Sequence, residues 1–350
     1  MKKKLLTIAA LFWGSSAMAT PVAFNSFVGS TGGNPIGFAY AGNKFVGSNY
    51  FNNQLYQTDL NGGNVQAFGA PIPIGSGSIG EIYVSSSLGL GGFGSSAARD
   101  VFAGSEAAGN IYKFSNDGTT QTLFSSGLAG GVRGIAFDPY GNYGNNMIVT
   151  TNVGNVYKID SAGNSTLLAN VGGDAEGLDF TPQVFGNIAA GTLVVVSEGT
   201  GKLQAIDSTG AQSDLGLRFG TPEMLSFVPT NLGVSGNPLE GFYAANYTSN
   251  VIKAGASEFA AFKGDAVITD ETNHNMYHIS WDGTKFVSTV IGQFPLQPED
   301  GVFVTAAVLN PGCTVTNTCG GATVPEPTTL SLLMIGLMGA GLSFRKKAIR

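Results

Sequence analysis

Short apolar runs recur along the chain. Each closes on a small or polar residue, then a tight turn and a second run rich in aromatic and β-branched positions. The copies read KFVGSNYFNNQLYQTD from Lys44, VFAGSEAAGNIYKFSNDG from Val101 and MIVTTNVGNVYKIDSAG from Met147. They continue as LVVVSEGTGKLQAIDSTG from Leu193, FYAANYTSNVIKAGA from Phe242 and AVITDETNHNMYHISWDG from Ala266. Apolar or alternating stretches this short, bounded by turn residues, predict β-strands. Most second runs end in a turn such as Asp160-Ser161-Ala162-Gly163 or Asp207-Ser208-Thr209-Gly210. There glycine supplies a positive φ and aspartate caps the following backbone, so these aspartates read as turn residues and not as calcium ligands. An opening strand precedes most units: Ile79-Gly80-Glu81-Ile82-Tyr83-Val84, VRGIAFDP from Val132, AEGLDFTP from Ala175 and PEMLSFVP from Pro222. A related PEDGVFV begins at Pro298.

The polar residues that close the first run are Asn49, Glu106, Asn152, Glu198, Asn246 and Asp270. From Glu106 to Asn246 they are spaced by 46, 46 and 48 residues. That period fits a four-stranded blade, and six units predict an all-β, six-bladed β-propeller over residues 20–309. Only 24 residues separate Asn246 from Asp270, which predicts a fifth blade short of a full outer strand. PEDGVFV is available to complete the first blade, so five or seven blades stay open. Composition agrees with many strands and tight turns. The chain holds 52 Gly and only 11% charged residues, against roughly 7% and 25% in typical domains. Its 23 Phe and 11 Tyr argue against disorder, and two His with two Cys leave little for zinc or histidine chemistry.

Both ends read as address labels. Residues 1–19 carry Lys2, Lys3 and Lys4, a short apolar run from Leu5 to Trp13, and Ala17-Met18-Ala19. This is the pattern of a signal peptide handled by the Sec export machinery, with signal peptidase cutting after Ala19. At the other end, Pro325-Glu326-Pro327 precedes an apolar stretch from Leu330 to Phe344 and the basic Arg345, Lys346, Lys347 and Arg350. The stretch makes a short membrane span whose basic end stays inside. Residues 324–350 closely resemble the PEP-CTERM sorting signal of Gram-negative bacteria. The resemblance implies that Pro325, Glu326 and Pro327 are read by an exosortase in the inner membrane, which removes the helix. Between body and label, residues 310–323 form a linker holding Cys313 and Cys319. They are expected to pair in an oxidising envelope, closing a loop whose constraint contributes roughly 2 kcal/mol; two free thiols are the alternative.

Three of the 17 basic residues lie in the N-terminal label and four in the C-terminal tail, so the body is more acidic than the whole chain's net charge of -6. Such a surface repels phosphate backbones, which excludes nucleic acid as a partner. In a propeller, the entry to each inner strand and the turn after the second strand share one face. Glu81, Arg133, Glu176, Glu223, Glu299 and Asp300 flank inner strands, while Asn49, Glu106, Asn152, Glu198, Asn246, Asp270 and Glu271 follow second strands. Both groups are expected around one channel mouth, with Glu81, Glu176, Glu198, Asn152, Asn246 and Asp270 as candidate metal ligands. Converging oxygens suit calcium; a hydrated polar rim without metal is the competing reading. The sequence compels no cofactor.

His274 and His278 mimic a zinc pair, but on a strand four residues span about 13 Å, so structural roles are expected. Gly75-Ser76-Gly77-Ser78-Ile79-Gly80 matches a dinucleotide pattern yet precedes a strand and not a helix. Gly199-Thr200-Gly201-Lys202 lacks the length of a P-loop, and no serine or cysteine nucleophile stands beside a plausible histidine base. The YKID and DxxG patterns resemble the NHL and calcium-dependent gluconolactonase-like propellers, without matching either throughout. Two functions follow. The first is an exported binding or structural module at the cell surface or in extracellular matrix, with extracellular polysaccharide as a candidate partner. The alternative is a calcium-dependent lactonase-like hydrolase at the channel mouth, which that resemblance implies.

Overall fold

A computed structural model describes residues 21–74 and 80–305. Six antiparallel sheets of four strands each surround a central channel. Blade 1 runs Pro35–Tyr40, Phe45–Asn49, Asn52–Thr58 and Gln66–Phe68 from the axis outward. Blades 2, 3 and 4 repeat this order with inner strands Ile82–Ser86, Val132–Phe137 and Ala175–Phe180. The predicted six-bladed propeller is therefore the observed fold. The two histidines fit it: His278 lies on the strand Asn275–Trp281 with Nε2 2.8 Å from Asp265 Oδ2, and His274 precedes that strand with φ 55°. The glycine-rich run at 75–80 leads into the strand Ile82–Ser86, although 75–79 lie outside the described residues, as do Cys313 and Cys319.

The irregular spacing near residue 250 has a different cause from the one expected. The inner strand of blade 5, Pro222–Phe227, is followed not by its own neighbour but by Gly241–Asn246 and Asn250–Gly255, the two middle strands of blade 6. A 3-10 helix, Ala256–Phe262, returns the chain to Ala266–Asp270, Asn275–Trp281 and Phe286–Gln293, which complete blade 5. Blade 5 thus has all four strands, and Asn246 and Asp270 belong to different blades. PEDGVFV does not complete blade 1. Pro298–Val304 is the inner strand of blade 6, and Asn25–Val28 is its outer strand, so both ends of the body enter one sheet.

What holds the ring together follows from strand composition. Second strands such as MIVTT and LVVVS are buried on both faces, which a continuous apolar run permits and an alternating one would not. Six clusters of buried apolar side chains fill the six seams between blades. Phe259 and Phe262 of the 3-10 helix enter the seam between blades 5 and 6, which anchors the crossing segment there.

The turn aspartates do what their positions predicted. Asp160 Oδ1 accepts from the backbone N–H groups of Ala162 and Asn164, and Asp207 Oδ1 from those of Thr209 and Ala211. The glycines serve a second purpose that the sequence did not reveal. Gly163 and Gly210 have φ of 87° and 91°. A Cβ on either would also run into the outer strand of the preceding blade, at the carbonyls of Phe124 and Leu168. These turns are docking points between blades.

Candidate functional site

Each inner strand opens with a residue whose neighbour points into one end of the channel. The second position reads Ile36, Arg133, Glu176, Glu223 and Glu299 in blades 1, 3, 4, 5 and 6, and in blade 2 Glu81 takes the equivalent place just before the strand Ile82–Ser86. Pairing across the blades keeps these positions level: Pro35 faces Asn49, Val132 faces Thr151, Ala175 faces Ser197, Pro222 faces Asp270, and Pro298 faces Asn246. In blades 1, 3, 4, 5 and 6 the register shifts at this point, between Pro35 and Phe38, Val132 and Gly134, Ala175 and Leu178, Pro222 and Leu225, and Pro298 and Gly301. A bulge leaves a residue out of the ladder and re-aims its side chain. That local break turns the second position toward the axis.

Arg133 occupies the centre of this mouth. Its Nη1 meets Glu81 and lies 3.0 Å from Glu106; its Nε lies 3.1 Å from Asp174; its Nη2 meets Glu176 and lies 3.2 Å from Glu198. Five carboxylates therefore share one guanidinium, which also lies 5.5 Å from the ring centroid of Tyr83. The Tyr83 hydroxyl sits 2.6 Å from Glu81 Oε2 and 2.8 Å from Glu176 Oε1, with a single proton to donate between them. Burial alone would lower the Arg133 pKa, but Tyr83, Glu81 and Glu223 outweigh it and hold the guanidinium firmly charged. Burial, reinforced by Glu81 in the first case and partly offset by Arg133 in both, raises the pKa of Glu106 and Glu198.

A second acidic group stands beside the first, without an ion pair among the described residues. Oxygens of Glu223, Glu271 and Glu299 lie within 4.8 Å of one another. Gln297 Nε2 bridges two of them, donating at 2.6 Å to Glu271 and 2.8 Å to Glu299. Burial first, and then neighbouring carboxylates, push Glu271 up to about 7 and Glu223 and Glu299 well above the usual carboxylate range. Glu299 is fully buried, and its Oε2 has no hydrogen-bond partner among the described residues; the same holds for Glu176 Oε2.

The six candidate ligands divide evenly. Glu81, Glu176 and Glu198 converge, but on Arg133. Asn152, Asn246 and Asp270 instead tie the end of the second strand to the entry of the inner strand of the same blade. Asn152 Oδ1 accepts from Gly131 N–H at 2.9 Å, and Asn246 Oδ1 from Leu296 N–H at 2.9 Å. Asp270 accepts from the N–H groups of Asn273 and Thr221, at 2.9 and 3.2 Å. Asp174, Tyr83 and Gln297 escaped the sequence reading. Asp174 and Gln297 precede their inner strands by one residue, a position the repeat alignment began just after. Aromatic rings edge the same mouth: Tyr50 packs against Phe51 and Tyr247, at 4.2 and 5.7 Å between centroids, and feels Glu106, Glu81 and Glu299. Phe51 is 58% exposed and held at φ 55°.

The fold and site define a six-bladed β-propeller with an acidic channel mouth built around one arginine. Residues 323–347 match the PEP-CTERM protein-sorting motif, which marks the chain as an exported protein of the cell envelope. No curated protein sequence matches it. Among solved structures it is similar to a chain of a nidogen/laminin complex, with 15% identity, TM-score 0.49, and 76% of this chain and 83% of that one covered. It is also similar to streptogramin B lyase, with 13% identity, TM-score 0.46, and coverage of 80% and 89%. No helix among the described residues is long and apolar enough to cross a membrane; the stretch from Leu330 to Phe344 lies outside them.

Proposed function

We propose that this chain is an exosortase-processed propeller that acts as a binding module at the cell surface or in extracellular matrix. The sorting motif at residues 323–347 carries this reading. The binding face is the channel mouth, where exposed Phe51 stands with Tyr50 and Tyr247 beside carboxylates. Aromatic faces stack on sugar rings and carboxylates accept from sugar hydroxyls, so extracellular polysaccharide is the partner this chemistry suits. Affinity electrophoresis through gels containing a neutral β-glucan tests it. The wild-type chain is expected to be retarded and Phe51→Ala to run freely; a glucan that retards neither overturns the polysaccharide assignment. The hydrolase alternative is not favoured, because Glu81, Glu176 and Glu198, its expected bases and ligands, are already committed to Arg133.

The unpartnered Glu299 Oε2 supports one addition to this reading. Glu223, Glu271 and Glu299, with the Gln297 side chain nearby, offer hard oxygens suited to calcium, which would neutralise like charges held at close quarters. Calcium at millimolar concentration is expected to raise the melting temperature at pH 8, and Glu223→Gln with Glu299→Gln to remove that increase. A wild-type melting temperature indifferent to calcium sinks the cation site and leaves the binding module standing.

A further inference from the structure

Below the mouth, the inner strands enclose a lumen of about 350 Å³. Its closed end is formed by Arg133, Glu176 and Glu223, which are 7%, 2% and 3% exposed. The other end opens where the inner strands finish, past half-buried Pro182 and Pro229 and exposed Tyr140. Ile135, Leu178, Asp179, Asp300 and Val302 lie on the innermost strands yet are only half-buried. At the axis of the ring, that exposure is exposure to the lumen.

The two lumen carboxylates differ. Asp179 is a strut between blades: its oxygens accept the N–H groups of Phe180 and Phe227, each at 2.7 Å. Among the described residues Asp300 accepts from Gly301 N–H alone, at 3.2 Å through Oδ1. Its second oxygen is left for whatever occupies the lumen. Ile135, Leu178 and Val302 supply apolar wall to the same lumen.

We propose that this lumen binds an organic monocation, a protonated amine on an apolar or aromatic body, with the ammonium at Asp300 and the body against Ile135, Leu178 and Val302. The volume lies in the range of small-molecule sites, roughly 300–1,000 Å³. An anion meets four carboxylates, Asp179, Asp300, Glu176 and Glu223, against two lining guanidiniums, of which Arg133 is held by five carboxylates and Arg99 stands away from them at the rim. The rim's Arg99 lies against the Tyr40 ring and donates from Nε to the Ser96 carbonyl at 3.3 Å. A neutral ligand would desolvate Asp300 without matching its charge. A bare metal ion needs more oxygens than these apolar walls offer. The lumen shares its closed end with the mouth but none of Tyr50, Phe51 and Tyr247, so its test stands independently of the polysaccharide reading.

Calorimetric titration of the full chain at pH 8 with tryptamine, tryptophol and indole-3-propionate tests the proposal, because the three share an indole and differ in charge. Tryptamine is expected to bind one per chain, tryptophol at least tenfold more weakly, and indole-3-propionate not at all. Asp300→Asn should weaken tryptamine at least tenfold and leave tryptophol unchanged. Ile135→Phe, which narrows the lumen without touching a charge, should weaken both and guards against a folding defect in the first variant. Equal binding of tryptamine and tryptophol overturns the proposal. So does tryptamine binding that ignores Asp300→Asn and Ile135→Phe but is lost in Glu271→Gln, which would locate it at the mouth.

Discussion

A single buried guanidinium among five carboxylates is a high-stakes arrangement, because each acid relies on a cation it shares. Removing one partner of a buried ion pair costs about 3–5 kcal/mol, since the charge left behind has neither water nor counter-ion. Arg133→Met is therefore expected to lower unfolding free energy at pH 7 by about that amount, measured by urea titration. Arg133→Lys should recover only part of it, because an ammonium cannot present the planar fork that meets several carboxylates at once. The neighbouring acids give the molecule a particular response to pH. Burial, then nearby carboxylates, hold Glu271 at about 7 and Glu223 and Glu299 well above the usual carboxylate range; burial alone dominates for Asp179, at about 6, and Asp300, at about 7. Their folded values exceed their unfolded ones, so the stability they contribute is complete below the ordinary carboxylate range and is lost as pH rises through 6 to 7 and beyond. The turn aspartates act oppositely. Side-chain and backbone hydrogen bonds lower Asp117 to about 2, and hold Asp160 and Asp207 below the usual value, so their contribution is lost only in stronger acid. Melting temperature is thus expected to peak in mild acid and fall between pH 5 and 8, with Glu271→Gln flattening the fall. A profile that rises steadily to pH 8 without added calcium would contradict these assignments.

Hairpin turns set the blades' mutual contact as well as their own ends. Gly163 satisfies two conditions at once: a φ of 87° and a position against the Phe124 carbonyl of the blade before it. Valine there meets a conformation that β-branched residues resist and a backbone atom that cannot rotate away. Gly163→Val and Gly210→Val are each expected to destabilise by about 2 kcal/mol or more, read by thermal or urea unfolding. Asp160→Asn, which keeps an acceptor for the same N–H groups, should change stability far less. Equal effects from both kinds of variant would show that docking between blades is not what the glycine provides. The hairpins were legible because alternation, turn chemistry and a period near 46 residues are local properties. The exchange between blades 5 and 6 was not, since nothing in PEMLSFVP says whether its partner is the next apolar run or the one after. Spacing gave the right count of blades and the wrong owner for two strand pairs, those that begin at Gly241 and Ala266. The site shows the same limit. Repeat alignment found the acids that gather at the mouth, but only the packed ring reveals that Arg133 already serves as a cation for five of them and that Asn152, Asn246 and Asp270 are taken up by bonds to the inner-strand entries of their own blades.

At the scale of the whole molecule, ring closure and sorting occupy different parts of the chain. The first strand, Asn25–Val28, and the last, Pro298–Val304, close blade 6 together, and Val28 is fully buried in the seam with blade 1. The propeller is complete at Val304, before the residues that match the sorting motif at 323–347. A chain exported from its N-terminus cannot close the ring until its last strand has emerged, and only after that strand does the sorting segment follow. Folding and address are then separable by mutation. Deleting Pro325, Glu326 and Pro327 is expected to leave the unfolding curve of the detergent-extracted propeller unchanged while the uncleaved chain accumulates in the inner membrane. An antibody or tag on the basic tail reports retention, and protease protection in spheroplasts reports that the body has crossed. Deleting Pro298–Val304 should do the reverse at the level of the fold: it removes an inner strand, opens blade 6 and abolishes cooperative unfolding. If the chain lacking Pro325–Pro327 is cleaved and released like the wild type, the motif is not what directs processing, and the export reading loses its foundation.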